Sequence, residues 1–232
     1  MSFSKEVFSA NSRMENGELV IAGCKATLLA KEFETPLFVL DEADFRSRAS
    51  SWKGALHRHF GENAGEVYYA AKSFICVEVA KMVKESGIGI DVCTGGELAV
   101  ALAADFPTDR IELHGNNKSL SEIEEAIKVG VSRIVVDSIQ EINRVQETAS
   151  RLGKNQKVLI RITPGVEAHT HEAISTAHED VKFGLSIATG AAWKAIELVE
   201  ASSNLSLQGF HCHIGSQIFN TEGYEIAIKR IV

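Results

Sequence analysis

The sequence predicts a parallel α/β fold and, within that class, a (β/α)8 TIM-like barrel. Three observations carry this. Short apolar runs recur after Pro36 at ~20–30-residue spacing, each followed by a stretch with helical periodicity. The runs are continuous rather than alternating, as in strands covered on both faces. The turn after the first run is Asp41-Glu42-Ala43-Asp44. An open dinucleotide-binding sheet usually places a glycine-rich phosphate turn there.

Taken in order, residues 1–34 form a mixed lead-in. Within it, Gly17-Glu18-Leu19-Val20-Ile21-Ala22-Gly23 predicts a short strand between glycines, and residues 28–33 predict one or two helical turns. Thr35-Pro36 breaks that pattern, and the barrel is expected over 35–232. Residues 37–40 are the first expected strand, with Asp41 or Asp44 capping a helix to about Phe60. Further strands are expected over 67–71, 88–92, 111–114, 134–136, 158–162 and 207–211. Between them, Thr94 with Gly95-Gly96 opens one helix, and Ser119-Leu120-Ser121-Glu122 is a capping-box pattern opening another. Seven βα units result. Eight need ~250 residues, so the expectation is a barrel truncated before strand 8.

Composition narrows the functional classes. Lys and Arg number 24 against 31 Asp and Glu, giving a formal net charge of -7. With no basic block, neither nucleic acid nor an anionic membrane surface is an expected partner. Four dispersed cysteines, Cys24, Cys76, Cys93 and Cys212, include no C-x-x-C pair, which suits reduced thiols in a cytoplasm. The N-terminus carries no apolar signal core.

In such a barrel the chemistry gathers at the C-terminal ends of the strands. Those ends are Asp41, Lys72, Asp91, His114, Asp137, Arg161 and His211 with His213. Each alone reads as a cap or a solvated turn; together they pool a lysine, an arginine and several His and Asp on one rim. Lys72 closes Tyr68-Tyr69-Ala70-Ala71-Lys72, and is either a solvated charge or an amine aimed into a site. In His211-Cys212-His213-Ile214-Gly215-Ser216-Gln217, alternation puts the two histidines on one side. The glycine allows close backbone approach and the serine adds a hydroxyl donor.

Two chemistries compete for this set. A metal hydrolase would use His211-x-His213 with His169, His171 and His178 nearby in sequence. That leaves Lys72 and the Gly-Ser turn without work. A lysine Schiff base to a phosphate-bearing cofactor uses every member: Lys72 as amine, Gly215 and Ser216 on phosphate, His213 against the ring and Arg161 at its edge.

Five blocks, in order, carry a resemblance: Tyr68-Tyr69-Ala70-Ala71-Lys72, Asp91-Val92-Cys93-Thr94-Gly95-Gly96-Glu97-Leu98, His114-Gly115-Asn116-Asn117-Lys118, Val181-Lys182-Phe183-Gly184 and the His211–Gln217 stretch. They resemble the pyridoxal-phosphate decarboxylases built on an alanine-racemase-like barrel. Pro164-Gly165-Val166-Glu167-Ala168-His169-Thr170-His171-Glu172 is similar to the diaminopimelate decarboxylase branch, as distinct from ornithine and arginine decarboxylases.

The resemblance implies pyridoxal 5'-phosphate as cofactor, an amino-acid substrate (meso-diaminopimelate, decarboxylated to L-lysine), a homodimer and no resident metal. It implies Lys72 as the Schiff-base lysine, His213 stacked on the pyridine, and Gly215 with Ser216 at the phosphate. Arg161 would lie beside the ring hydroxyl and Asp91 near the Schiff base. Lys182 belongs to the dimer contact, and the His114–Lys118 block has no assigned role. The family also has a glycine-rich loop after strand 8 and a C-terminal β domain, on which a lead-in like 1–34 packs. Neither is encoded here, so the sequence is expected to be an N-terminal half, inactive by itself. A non-catalytic barrel that binds the same cofactor is the alternative of a different class.

Overall fold

The computed structural model describes residues 8–62, 65–165, 183–215 and 221–232. The chain forms two compact units, Met1–Tyr69 with Glu78–Gly89, and Ala70–Val77 with Ile90–Val232.

The first unit begins with a three-stranded antiparallel meander of β1 (Ser12–Glu15), β2 (Glu18–Ile21) and β3 (Cys24–Lys25). Its turns are Asn16-Gly17 and Ala22-Gly23, all four residues at positive φ. That backbone matches the twist of tight hairpins. Only the β2 strand was expected; its partners are short and polar, and lack the apolar signature of a strand. Helix α1 (Ala26–Phe33) is followed by α2 (Glu42–Phe60), whose N-cap Asp41 accepts a hydrogen bond from the Asp44 amide at 3.1 Å. Asn11 Nδ2 also donates to Asp41, at 3.1 Å. The Asp41 carboxylate is therefore used structurally. Across this unit Arg46 on α2 pairs with Glu85 at 2.7 Å, at the end of α3 (Val77–Glu85).

Residues 37–40 depart from the expected first strand. They carry no regular secondary structure and lie in no described ladder, and their side chains are exposed, Phe38 by 99%. Apolar β-branched and aromatic residues suit a pleated surface, but a strand is defined by its partners.

The second unit holds the parallel sheet. Strands β5 (Gly89–Val92), β6 (Ile111–Leu113), β7 (Arg133–Val136), β8 (Gln156–Thr163) and β10 (Leu205–His211) lie side by side in that order. The two-residue β9 (Leu185–Ser186) pairs with the end of β8. The sequence of strands does not reverse, unlike a doubly wound sheet with its switch point. Ile90, Val92, Ile111, Leu113, Ile134, Val136, Val158 and Ile160 are at most 1% exposed, which explains why the strands read as continuous apolar runs. Helices α4 (Gly95–Ala103), α5 (Leu120–Val129), α6 (Ile139–Arg151) and α7 (Ala191–Glu200) separate them, and α8 (Glu222–Ile231) follows β10. Strand β4 (Tyr68–Ala70) spans the boundary between the units and runs into a 3-10 turn, Ala71–Ser73.

The helix starts matter for function. Thr94, Ser119 and Ser138 cap α4, α5 and α6, each accepting from the amide three residues on. The predicted capping box at Ser119 and Glu122 is present in both directions. Each cap lies a few residues beyond a strand end, so Asp91, His114 and Asp137 are held in short segments fixed at both sides.

Candidate active site

The rim of the second unit gathers most of the sequence-predicted residues. Lys72 sits on the 3-10 turn after β4 and is exposed. Asp91 lies on β5 and His114 just beyond β6. Asp137 follows β7, Arg161 lies on β8, His211 ends β10, and His213 and Gly215 come just after it. Ser216, Lys182, His169, His171 and His178 fall outside the described residues.

A chain of contacts joins the strand ends. Arg161 Nη1 is 3.4 Å from His114 Nε2 and 3.4 Å from Asp137 Oδ1. An arginine can only donate, so His114 Nε2 accepts and its proton resides on Nδ1. That Nδ1 faces Asp91 Oδ2 at 3.5 Å. Asp137 Oδ2 accepts from the Gly184 amide at 3.2 Å, and the Arg161 guanidinium lies 4.7 Å over the Phe183 ring. Gly184 adopts φ 73, and a Cβ there would come within 3.1 Å of the Arg161 carbonyl oxygen. Arg161, His114 and Asp137 are all buried, so the guanidinium is held from several sides in a low-dielectric setting.

The two histidines of the His-x-His stretch occupy different places. A bulge in β10 takes Leu207 opposite Val158 but Gly209 opposite Leu159, so Gln208 is the extra residue. Beyond it the faces are exchanged, and His211 comes opposite Arg161. The His211 ring lies 4.4 Å from that of His114. Burial, then electrostatic coupling to His114, Arg161, His213 and Lys72, pushes the His211 pKa down to about 3. His213 lies past the strand and is exposed. Burial of part of its ring and the charges of Lys72 and Arg161 lower its pKa too, against the opposing pull of Asp91. Both imidazoles are therefore neutral at neutral pH.

Asp91, Cys93 and His114 bring one oxygen, one sulfur and one nitrogen within 4.8 Å of one another. The hydrogen bonding of His114 fits a metal poorly. A metal on His114 Nδ1 would leave Nε2 protonated against the Arg161 donor. Burial, then the charges of Asp91 and Glu97, push the Cys93 thiol pKa up to about 11.

Lys118 and Glu141 form a second layer that the strand-end pattern does not reveal. Their side chains are buried and Lys118 Nζ is 2.9 Å from Glu141 Oε2. Burial lowers the Lys118 pKa, while Glu141 draws it back up. The only signal in the sequence was the lysine closing the His114–Lys118 block.

The profile of the family "Pyridoxal-dependent decarboxylase, pyridoxal binding domain" matches residues 42–232. Diaminopimelate decarboxylase of Mycobacterium tuberculosis is 57% identical over 221 residues, covering 95% of this chain and 48% of the relative. The Bacillus subtilis protein of the same name is 44% identical over 94% of this chain and 49% of the relative. The chain thus spans about half the length of the curated relatives it matches. Among solved structures, diaminopimelate decarboxylase from M. jannaschii in complex with L-lysine superposes with a TM-score of 0.85 at 31% identity, over 96% of this chain and 52% of that one. The expected α/β-barrel class is therefore correct. The rim offers chemistry that fits a pyridoxal group. His211 Nδ1 and Asp91 Oδ1 are buried with no hydrogen-bond partner among the described residues. Such orphaned atoms are costly unless a ligand completes them. The clamped Arg161 guanidinium lies on the same rim.

Proposed function

Since the chain belongs to the pyridoxal-dependent decarboxylases, in their pyridoxal binding domain, we propose that it is part of an enzyme converting meso-diaminopimelate to L-lysine and CO2. The observation that carries this reading is the joint placement of the Lys72 amine, the neutral His213 ring and the clamped Arg161 guanidinium on one rim. The names of the similar proteins from M. tuberculosis and B. subtilis support the choice of substrate.

Pyridoxal phosphate supplies the electron sink for loss of a carboxylate as CO2. The chain's residues then have separate tasks. Lys72 would hold the cofactor's aldehyde carbon, and its amine would serve to move a proton at the substrate's reacting carbon. A neutral His213 presents a flat face to the pyridine without placing a second cation there. Arg161 would offer guanidinium donors to the ring hydroxyl oxygen. It is held for that task by His114 and Asp137. Asp91 fixes the tautomer of His114. Gly215, at φ 141, permits the backbone to approach the phosphate, with Ser216 as a hydroxyl donor.

We further propose a homodimer, which the resemblance to the diaminopimelate branch supports, and a cytoplasmic location, which four free cysteines suit. No described helix is long and apolar enough to cross a membrane. The test is lysine formation from meso-diaminopimelate by the full-length protein supplied with pyridoxal phosphate. Stoichiometric L-lysine and CO2 are expected. Tight cofactor binding without turnover of this substrate would instead favour a non-catalytic cofactor-binding barrel.

A further inference from the structure

The layer beneath the rim takes no part in the steps above. Lys118 is 2% exposed and Glu141 4%. Lys118 Nζ donates to Glu141 Oε2 at 2.9 Å and to the Gly115 carbonyl oxygen. The same Glu141 oxygen accepts from the Asp137 amide at 2.8 Å. Gly115 is the neighbour of His114, and Asp137 carries the carboxylate that faces Arg161. One buried ammonium–carboxylate pair therefore ties the end of β6 to the end of β7. From above, Arg161 touches the side chains of those two ends, His114 and Asp137, each at 3.4 Å. The contacts close into a ring: Lys118, Gly115 with His114, Arg161, Asp137 and Glu141.

Stability alone is a poor reason for such a pair. Taking an ammonium and a carboxylate out of water costs about what their attraction returns, and apolar residues of similar volume often serve as well or better. The geometry offers another reason. Strand ends β6 and β7 share only two register pairs, Glu112 with Arg133 and Leu113 with Ile134, so the ladder stops short of His114 and Asp137. Something beyond the ladder must set their separation.

We propose that Lys118 and Glu141 are positioning residues for the cofactor site, holding His114 and Asp137 at the spacing that fixes the Arg161 guanidinium. This rests on reading the rim as the pyridoxal site. It gives the His114–Lys118 block a role: its first residue contacts Arg161 and its last braces the segment from beneath.

The experiment compares wild-type protein with Lys118→Met, Glu141→Gln and the double variant, using Arg151→Ala in an exposed pair as control. Either single variant lowers the melting temperature, because it strands one buried charge. The double variant removes both charges and regains most of that loss. Two readouts then separate positioning from stability. In cofactor-free protein, hydrogen exchange at the Asp137 and Gly184 amides is expected to quicken about tenfold in the double variant. Its affinity for pyridoxal phosphate, titrated by absorbance, is expected to fall about tenfold, the scale on which outer-layer partners tune a site. A double variant that regains its melting temperature and matches wild type in exchange and affinity overturns the proposal. Faster exchange at both amides, with no pyridoxal phosphate bound even by wild type, would leave the brace in place and overturn the cofactor reading it serves.

Discussion

His211 makes the protein acid-sensitive in a way that can be isolated. Its ring is buried and tilted against that of His114, and burial first, then coupling to His114, Arg161, His213 and Lys72, disfavours a positive charge on it. In the folded chain its pKa is about 3, against 6.5 ordinarily. Below 6.5 the unfolded chain takes up a proton that the folded chain refuses, so stability falls as pH falls and stops falling near 3. Between pH 7 and pH 5 the loss from this one group is about 2 kcal/mol. In a chain of this size that is about 4–8 °C in Tm. His211→Phe keeps an aromatic ring, cannot titrate, and removes the orphaned Nδ1. Urea titrations at pH 7 and pH 5 would measure the effect as a difference of differences, so that Asp91, Asp137 and His213 cancel. The variant should lose about 2 kcal/mol less than wild type on acidification. Equal losses in the two proteins would refute the account of His211 as a buried neutral base.

Two further predictions concern the contacts of Arg161 and the segment beside them. Arg161→Met leaves the buried Asp137 carboxylate without its countercharge; a cost of about 3–5 kcal/mol is expected in denaturant titration, and a cost within error of zero would mean that the pair is solvated. Gly115→Ala forces a side chain into φ 107 with its Cβ 3.1 Å from the Cys93 carbonyl oxygen. A loss of at least about 1 kcal/mol is expected in thermal melts, whereas an unchanged Tm would mean that the segment between β6 and Ser119 shifts freely.

Much of this site could be read from the sequence because parallel strands deliver chemistry at one end. Short apolar runs marked β5 to β8, and the next polar residue was in each case a member of the rim or its neighbour. The capping serine and threonine residues fixed where helices begin, and so where those segments end. Three things resisted. The bulge at Gln208 cannot be inferred from alternation, since an inserted residue exchanges the faces without altering the pattern of residue types. Alternation puts His211 and His213 on one side, but the strand ends at His211, so only His211 lies against His114. Lys118 and Glu141 were invisible because a lysine and a glutamate read as solvent-facing; only three-dimensional pairing makes their burial tolerable. Residues 37–40 failed in the opposite direction, having the composition of a strand without a described partner.

The most direct test of the central claim is where the cofactor attaches. Borohydride reduction of the full-length protein loaded with pyridoxal phosphate, followed by peptide mass mapping, should place the pyridoxyl group on Lys72. Lys72→Ala should show none, while its cofactor-free unfolding free energy stays within about 0.5 kcal/mol of wild type because the residue is exposed. Attachment to Lys118 or to any other lysine in the wild-type protein, or retention of a reducible adduct by Lys72→Ala, would contradict the account.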